Sequence, residues 1–155
     1  MKALVAILAV WMAFGAAAGE EYAYDRWLVG GTGGVLLPQG GGDLRRLGGG
    51  GARVGYYFAE MAAVEIEGVA FENTTGLAVR GLWHWWGYER LDPFFTYGVR
   101  GWIGDSGEVG PSAGLGAFWH LTEAWSLRAD ADFTLGLESD VEVGHVLSLS
   151  LLRSF

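Results

Sequence analysis

Residues 125–137 read WSLRADADFTLGL. Trp125, Leu127, Ala129, Ala131, Phe133, Leu135 and Leu137 occupy one phase of a two-residue period. Ser126, Arg128, Asp130, Asp132, Thr134 and Gly136 occupy the other. Successive side chains of a strand point to opposite faces, so this stretch is a strand with one oily face and one polar face. A helix would mix the two sets, since its neighbours lie three and four residues apart.

The same period recurs along the chain. Eight segments carry it, at about 27–36, 52–58, 63–71, 77–88, 94–103, 112–119, 125–137 and 141–155. The third is less regular. Glu65 and Glu67 share a phase with Val69 and Phe71, and a bulge near Gly68 is expected to separate the acids from the apolar pair. The connections fall into two kinds. PQGGGDLRRLGGGG, ENTTG, GDSGEVGP and ESD are rich in Gly, Asp, Glu and Ser, whereas AEM, ERLDP and HLTEA are compact. Antiparallel hairpins put these two kinds at opposite ends.

Composition narrows the class. The sequence has 155 residues, of which 27 are Gly, 8 Trp, 8 Phe and 6 Tyr, with no Cys. Glycine recurs too often in the periodic segments for helices, and a disulfide frame or thiolate metal site is excluded. Lys2, the apolar run 3–14 and the small residues Ala16, Ala17 and Ala18 have the form of a cleavable export signal. Residues 1–18 are therefore expected to be removed, leaving one domain over 19–155. That domain has no Lys, and its eighteen acids outnumber nine Arg, which argues against a nucleic-acid partner.

Alternation alone does not say which face is outside. A soluble, lipocalin-like barrel has its oily face within, and a membrane barrel inverts this. Three features favour inversion. The polar face carries Gly, Ser, Thr and a few Arg and acids rather than the long charged side chains of a solvated sheet. Trp27, Tyr56, Phe58, Trp83, Trp85, Phe95, Tyr97, Trp119 and Trp125 all fall toward one end of an up-and-down meander, as in a membrane-interface girdle. The last segment keeps its period through Phe155, as a strand must if it closes the sheet against the first. The fold expected is an all-β, eight-stranded antiparallel up-and-down transmembrane barrel.

In that arrangement Arg53, Arg80, Arg100 and Arg128 point inward with Glu65, Glu67, Asp130, Asp132 and Glu142. Isolated charges in a narrow lumen are costly, so pairing is expected. A static polar core is favoured over a gate that opens by exchange of partners.

The segments RWLVGGTGG, ARVGYYF, AAVEIEG, PFFTYGVRGW and GLGAFWHLTEAWSLRADADF resemble, in that order, strands of the small OmpA/OmpX-like outer-membrane β-barrels. The resemblance covers nearly all of 19–155. It implies an outer-membrane location, surrounding lipid as partner, a monomer, and an internal pairing of Glu65 with Arg128 and of Arg80 with a nearby acid. Phe155 is similar to the terminal signal such proteins present to the outer-membrane assembly machinery. Arg153 departs from the pattern, standing where the family favours an apolar or aromatic residue; its stem is expected to snorkel toward headgroups.

Enzymatic and metal readings are weaker. Small-barrel lipid A deacylases resemble hydrolases with His and Ser two apart on the outer face. Here His145 is followed two later by Leu147, His120 by Thr122 in a turn, and inward His84 has no adjacent nucleophile. The three scattered His show no metal-ligand spacing, and no cofactor is expected. GGTGG and GGGG precede no helix that would hold a phosphate. Asn73-Thr74-Thr75 matches a glycosylation sequon and reads more simply as a loop tip. Arg45 and Arg46 could meet lipopolysaccharide phosphates, a solvated loop being the simpler reading. The function expected is a non-catalytic outer-membrane barrel with an ion-paired plugged interior and a structural or surface-interaction role. A narrow porin-like channel is the first alternative and a lipid A-modifying enzyme the second.

Overall fold

The computed structural model describes residues 27–37, 47–72, 74–85, 90–104, 109–135 and 143–155. Expectations that fall elsewhere, the export signal, Arg45, Arg46 and Glu142 among them, lie outside the described residues. Eight strands follow one another: β1 (Trp27–Leu37), β2 (Leu47–Ala59), β3 (Ala62–Phe71), β4 (Thr74–His84), β5 (Leu91–Gly104), β6 (Val109–His120), β7 (Trp125–Leu135) and β8 (Val143–Ser154). Each pairs antiparallel with the next, and β8 pairs with β1, giving a closed barrel. Closure leaves no strand edge unpaired, the condition a lipid environment imposes on a sheet.

The two-residue period sorts the side chains as the sequence implies. Ile66, Leu77, Val79, Leu115, Leu147 and Leu149 stand outward and are about half exposed, with Val79 at 52 %. Arg53, Arg80, Arg100 and Arg128 point inward and are no more than 1 % exposed. A soluble barrel has the reverse arrangement, so the lipocalin-like alternative fails.

Four strands, β2, β4, β5 and β6, begin at least three residues earlier than the sequence suggests, and in β2 the reason is steric. Gly48 to Gly51 look like a loop but belong to β2, where Gly50 pairs with Gly33 of β1 and Ala70 of β3. A Cβ on Gly49 would run into the Phe71 ring, and one on Gly51 into the backbone of Gly68 and Val69. These glycines let neighbouring strands and an inward ring approach closely rather than turn the chain. β4 takes in Thr74 to Gly76, so Thr74 and Thr75 are strand residues rather than a loop tip; β5 takes in Leu91, Asp92 and Pro93, and β6 takes in Val109 to Pro111.

The bulge expected near Gly68 is absent. Gly68 pairs in unbroken register with Ala52 and Leu77, and the one irregularity of the β2–β3 pair lies between Tyr57 and Ala59. Val69 and Phe71 therefore stay in the inward phase with Glu65 and Glu67, and both are buried. They belong inside because the lumen is layered. At the long-loop end Val69, Phe71 and Val146 pack with Leu36 and Trp102. At the short-turn end Leu28, Ala63, Leu82, Phe94, Phe118 and Leu152 pack with Tyr57. The charged residues lie between these two apolar layers.

Candidate functional site

The charged layer is built by register. Arg53 of β2 lies opposite Glu67 of β3, and Glu65 of β3 opposite Arg80 of β4. Across the lumen β7 contributes Arg128, Asp130 and Asp132 at alternate positions, all on one face. Arg80 is the hub: its Nη2 donates to Glu65 Oε1 at 2.7 Å and to Glu67, and its Nη1 donates to Asp132. Arg53 Nη1 donates to Asp130 Oδ1 at 3.1 Å, while its Nη2 reaches Thr32 Oγ1 at 3.2 Å and Ser148 Oγ at 3.0 Å. Arg128 pairs with Glu65 and, through Nε, with Asp130 Oδ1 at 3.2 Å. Arg100 sits at the edge, 3.3 Å from Asp132 Oδ2 and 3.5 Å from Glu67 Oε1.

Four guanidinium groups thus face four carboxylates among the described residues, a set with no net charge. Its space comes from glycine. A Cβ on Gly114 would meet Thr96 Oγ1 at 2.7 Å as well as the Asp132 carboxylate, and one on Gly116 would strike the Phe94 ring. Arg128 closes the layer on one side, its guanidinium 4.4 Å from the centre of the Phe94 ring and 5.3 Å from that of Phe118. Such contacts stabilise a desolvated cation.

The nine aromatic residues singled out above all face outward near the short-turn end. Trp27 pairs with Tyr56, their rings 5.0 Å apart, and Trp83 pairs with Phe95. Trp119 and Trp125 flank the β6–β7 turn. Phe155 pairs through its backbone with Trp27, by hydrogen bonds of 2.9 and 3.2 Å. Arg153 joins this band, its guanidinium 4.7 Å from the centre of the Phe155 ring and 5.7 Å from that of Trp125.

A second polar group lies inside the short-turn mouth, and sequence reading did not assemble it. His84 Nδ1 is 2.5 Å from Asp92 Oδ2, and His120 Nε2 is 3.7 Å from the same oxygen. His84 Nε2 is hydrogen-bonded to Tyr57 Oη at 2.9 Å, and His120 Nδ1 to Ser126 Oγ at 2.9 Å. The ERLDP segment looks like a turn, which hid Asp92. His120 looks like a turn residue but ends β6, opposite Ser126 of β7. Ser126, His120 and Asp92 form a serine–histidine–carboxylate series, so the expectation that His120 lies in a turn with only Thr122 as a neighbouring hydroxyl is corrected. Leu121 and Thr122 both donate their N–H to Trp125 O, and Trp125 N donates to Thr122 Oγ1. His145 lies on the other face near the long-loop end, edge-on to Phe133 at 4.9 Å.

The fold is that of the small eight-stranded outer-membrane barrels. The N-terminal barrel domain of OprF from Pseudomonas aeruginosa superposes with a TM-score of 0.60 at 14% identity, over 81% of this chain and 96% of that one. Neisserial surface protein A gives 0.62 at 13% identity, over 83% and 97%. A de novo designed transmembrane β-barrel gives 0.60 at 14% identity, over 88% and 100%. No protein-family model matches the chain, and no curated protein matches it in sequence.

Proposed function

We propose that this chain is an exported, integral outer-membrane protein whose barrel is sealed rather than conducting. It acts as a structural element or as a scaffold for surface contacts through its longer loops, without catalysis. The observation that carries the reading is the layering of the lumen. A charge-neutral network of four Arg and four acids lies between two apolar layers, and on this reading those layers interrupt the path that water and ions would need. Ions crossing a layer such as Leu28, Leu82, Phe94, Phe118 and Leu152 would shed hydration without replacement ligands.

Supporting observations concern the outer face. Aliphatic side chains cover its middle, and aromatic residues ring the end with short turns, the pattern of a strand barrel in lipid. In this reading the short turns are periplasmic and the longer connections face outside the cell. The pairing of Phe155 with Trp27 fits a terminal strand that the outer-membrane assembly machinery recognises and then delivers to the seam. The barrel is complete in one chain, so a monomer suffices.

Two measurements test this reading. Proteoliposomes containing the refolded protein should not swell in small sugars, and lipid A from cells expressing the chain should keep its mass spectrum. Swelling would favour the narrow channel; a changed acyl pattern would favour a lipid-modifying enzyme.

A further inference from the structure

We propose that Arg153 and Arg90 each bind the phosphate of an anionic glycerophospholipid headgroup, on the outer rim of the short-turn end of the barrel. The inference rests on the reading of this chain as a membrane barrel and deepens it by naming the lipid class and the residues that select it. The six described arginines divide into two sets. Arg53, Arg80, Arg100 and Arg128 face inward, and each is paired with a carboxylate. Arg153 and Arg90 are exposed. Neither has a carboxylate partner, the chain terminus included, among the described residues. Each lies against aromatic rings instead. The Arg153 guanidinium is 4.7 Å from the centre of the Phe155 ring and 5.7 Å from that of Trp125, and the Arg90 guanidinium is 5.9 Å from that of Trp119.

Their place in the sheet says what covers them. On the outward face of β8, Arg153 follows the exposed Leu147, Leu149 and Leu151 and precedes Phe155. Its neighbours across the rungs are Trp125 of β7 and Val29 of β1. The cation therefore stands where the lipid-facing leucines end and the aromatic band begins. Arg90 directly precedes β5, whose first residue, Leu91, is exposed and pairs with Trp119. The Arg90 carbonyl accepts the His120 N–H at 3.0 Å, which fixes this residue at the mouth. Contact with a ring holds a guanidinium and leaves its N–H groups uncommitted, and their planar fork matches two phosphate oxygens. The described acids of this end are placed otherwise: Glu60 and Glu123 lie in turns, and Asp92 faces inward toward His84. A zwitterionic headgroup would bring an ammonium group with no paired acid to receive it, so an anionic one is selected. β5 and β8 are three strands apart, about 14 Å around the barrel, so each cation takes its own phosphate. With the short turns periplasmic, that phosphate belongs to a phospholipid rather than to lipopolysaccharide.

Native mass spectrometry of the refolded chain, in mild detergent with phosphatidylglycerol added, tests the assignment. Two phosphatidylglycerol molecules per chain are expected. Their retention should exceed that of phosphatidylcholine by about tenfold or more, the effect of one charge-assisted hydrogen bond. Arg153→Gln and Arg90→Gln should each retain one lipid fewer. Arg153→Lys keeps the charge and loses the planar fork, so its retention should fall between those of the wild type and Arg153→Gln. Arg46→Gln, in the first connection, should bind as the wild type does. Equal retention of the two lipids, unchanged phosphatidylglycerol binding in both Gln variants at the rim, or an equal loss in Arg46→Gln would each overturn the sites. So would retention of lipid A that depends on Arg153 without retention of phosphatidylglycerol, which would make lipopolysaccharide the occupant. Heat modifiability of each preparation separates these outcomes from failure of the membrane-barrel reading. A wild-type chain that migrates alike before and after heating would contradict that reading and these sites with it.

Discussion

Trp27 and Phe155 exchange two backbone hydrogen bonds, from Trp27 N to Phe155 O at 3.2 Å and from Phe155 N to Trp27 O at 2.9 Å. They are the last rung of the β1–β8 seam, beyond the pairing of Leu28 with Ser154. Deleting Phe155 removes both bonds and the ring beneath Arg153. At about 0.5–1.5 kcal/mol per hydrogen bond, a loss of about 1–3 kcal/mol is expected in urea unfolding. The heat-modifiable folded fraction in the outer membrane should fall more in the deletion than in Phe155→Ala, which keeps the backbone pair. Equal folded fractions in wild type and deletion would remove any assembly role for this residue.

Arg80 contacts Glu65, Glu67 and Asp132 at once. Replacing it with Met leaves three buried carboxylates short of a partner, which should cost about 3–5 kcal/mol. Adding Glu67→Gln restores neutrality and should recover part of that loss. Unfolding curves for the single and double variants in the same detergent check the sign of the coupling.

Gly114 sits where a side chain would meet Thr96 Oγ1 and Asp132. Gly114→Val should destabilise the barrel by about 1–3 kcal/mol through overpacking. Gly48, whose Cβ would meet no atom within 4 Å, should accept Ala with little change. Thermal midpoints of the two variants provide the comparison.

Leu149 lies near the middle of β8, facing outward and 54 % exposed. Leu149→Arg should cost about 2–4 kcal/mol for folding into lipid bilayers, as a cation does near the hydrocarbon midplane. A change below about 0.5 kcal/mol, the range of ordinary surface substitutions, would mean that water, not hydrocarbon, covers this face.

Much of this architecture is legible in residues such as Arg128, Asp130 and Asp132, whose alternation with Ala129, Ala131 and Phe133 sets both the strand and its two faces. Strand limits were less legible, because glycine is ambiguous. Gly48 to Gly51 have turn composition, yet their lack of side chains serves close approach inside the sheet. Val69 and Phe71 suggest a bulge only if the lumen is polar along its whole length; the long-loop layer fills it with apolar side chains instead. The Asp92 group was hidden for a topological reason. His84, Asp92, His120 and Ser126 lie on four successive strands, and only their pairing registers bring them together.

If the layered interior seals the barrel, planar-bilayer recordings of the purified wild-type protein will show no conductance. A sealed barrel gives a flat baseline in molar salt at moderate voltages of either sign, with insertion verified by heat modifiability of the same preparation. Reproducible single-channel steps from that preparation would contradict it.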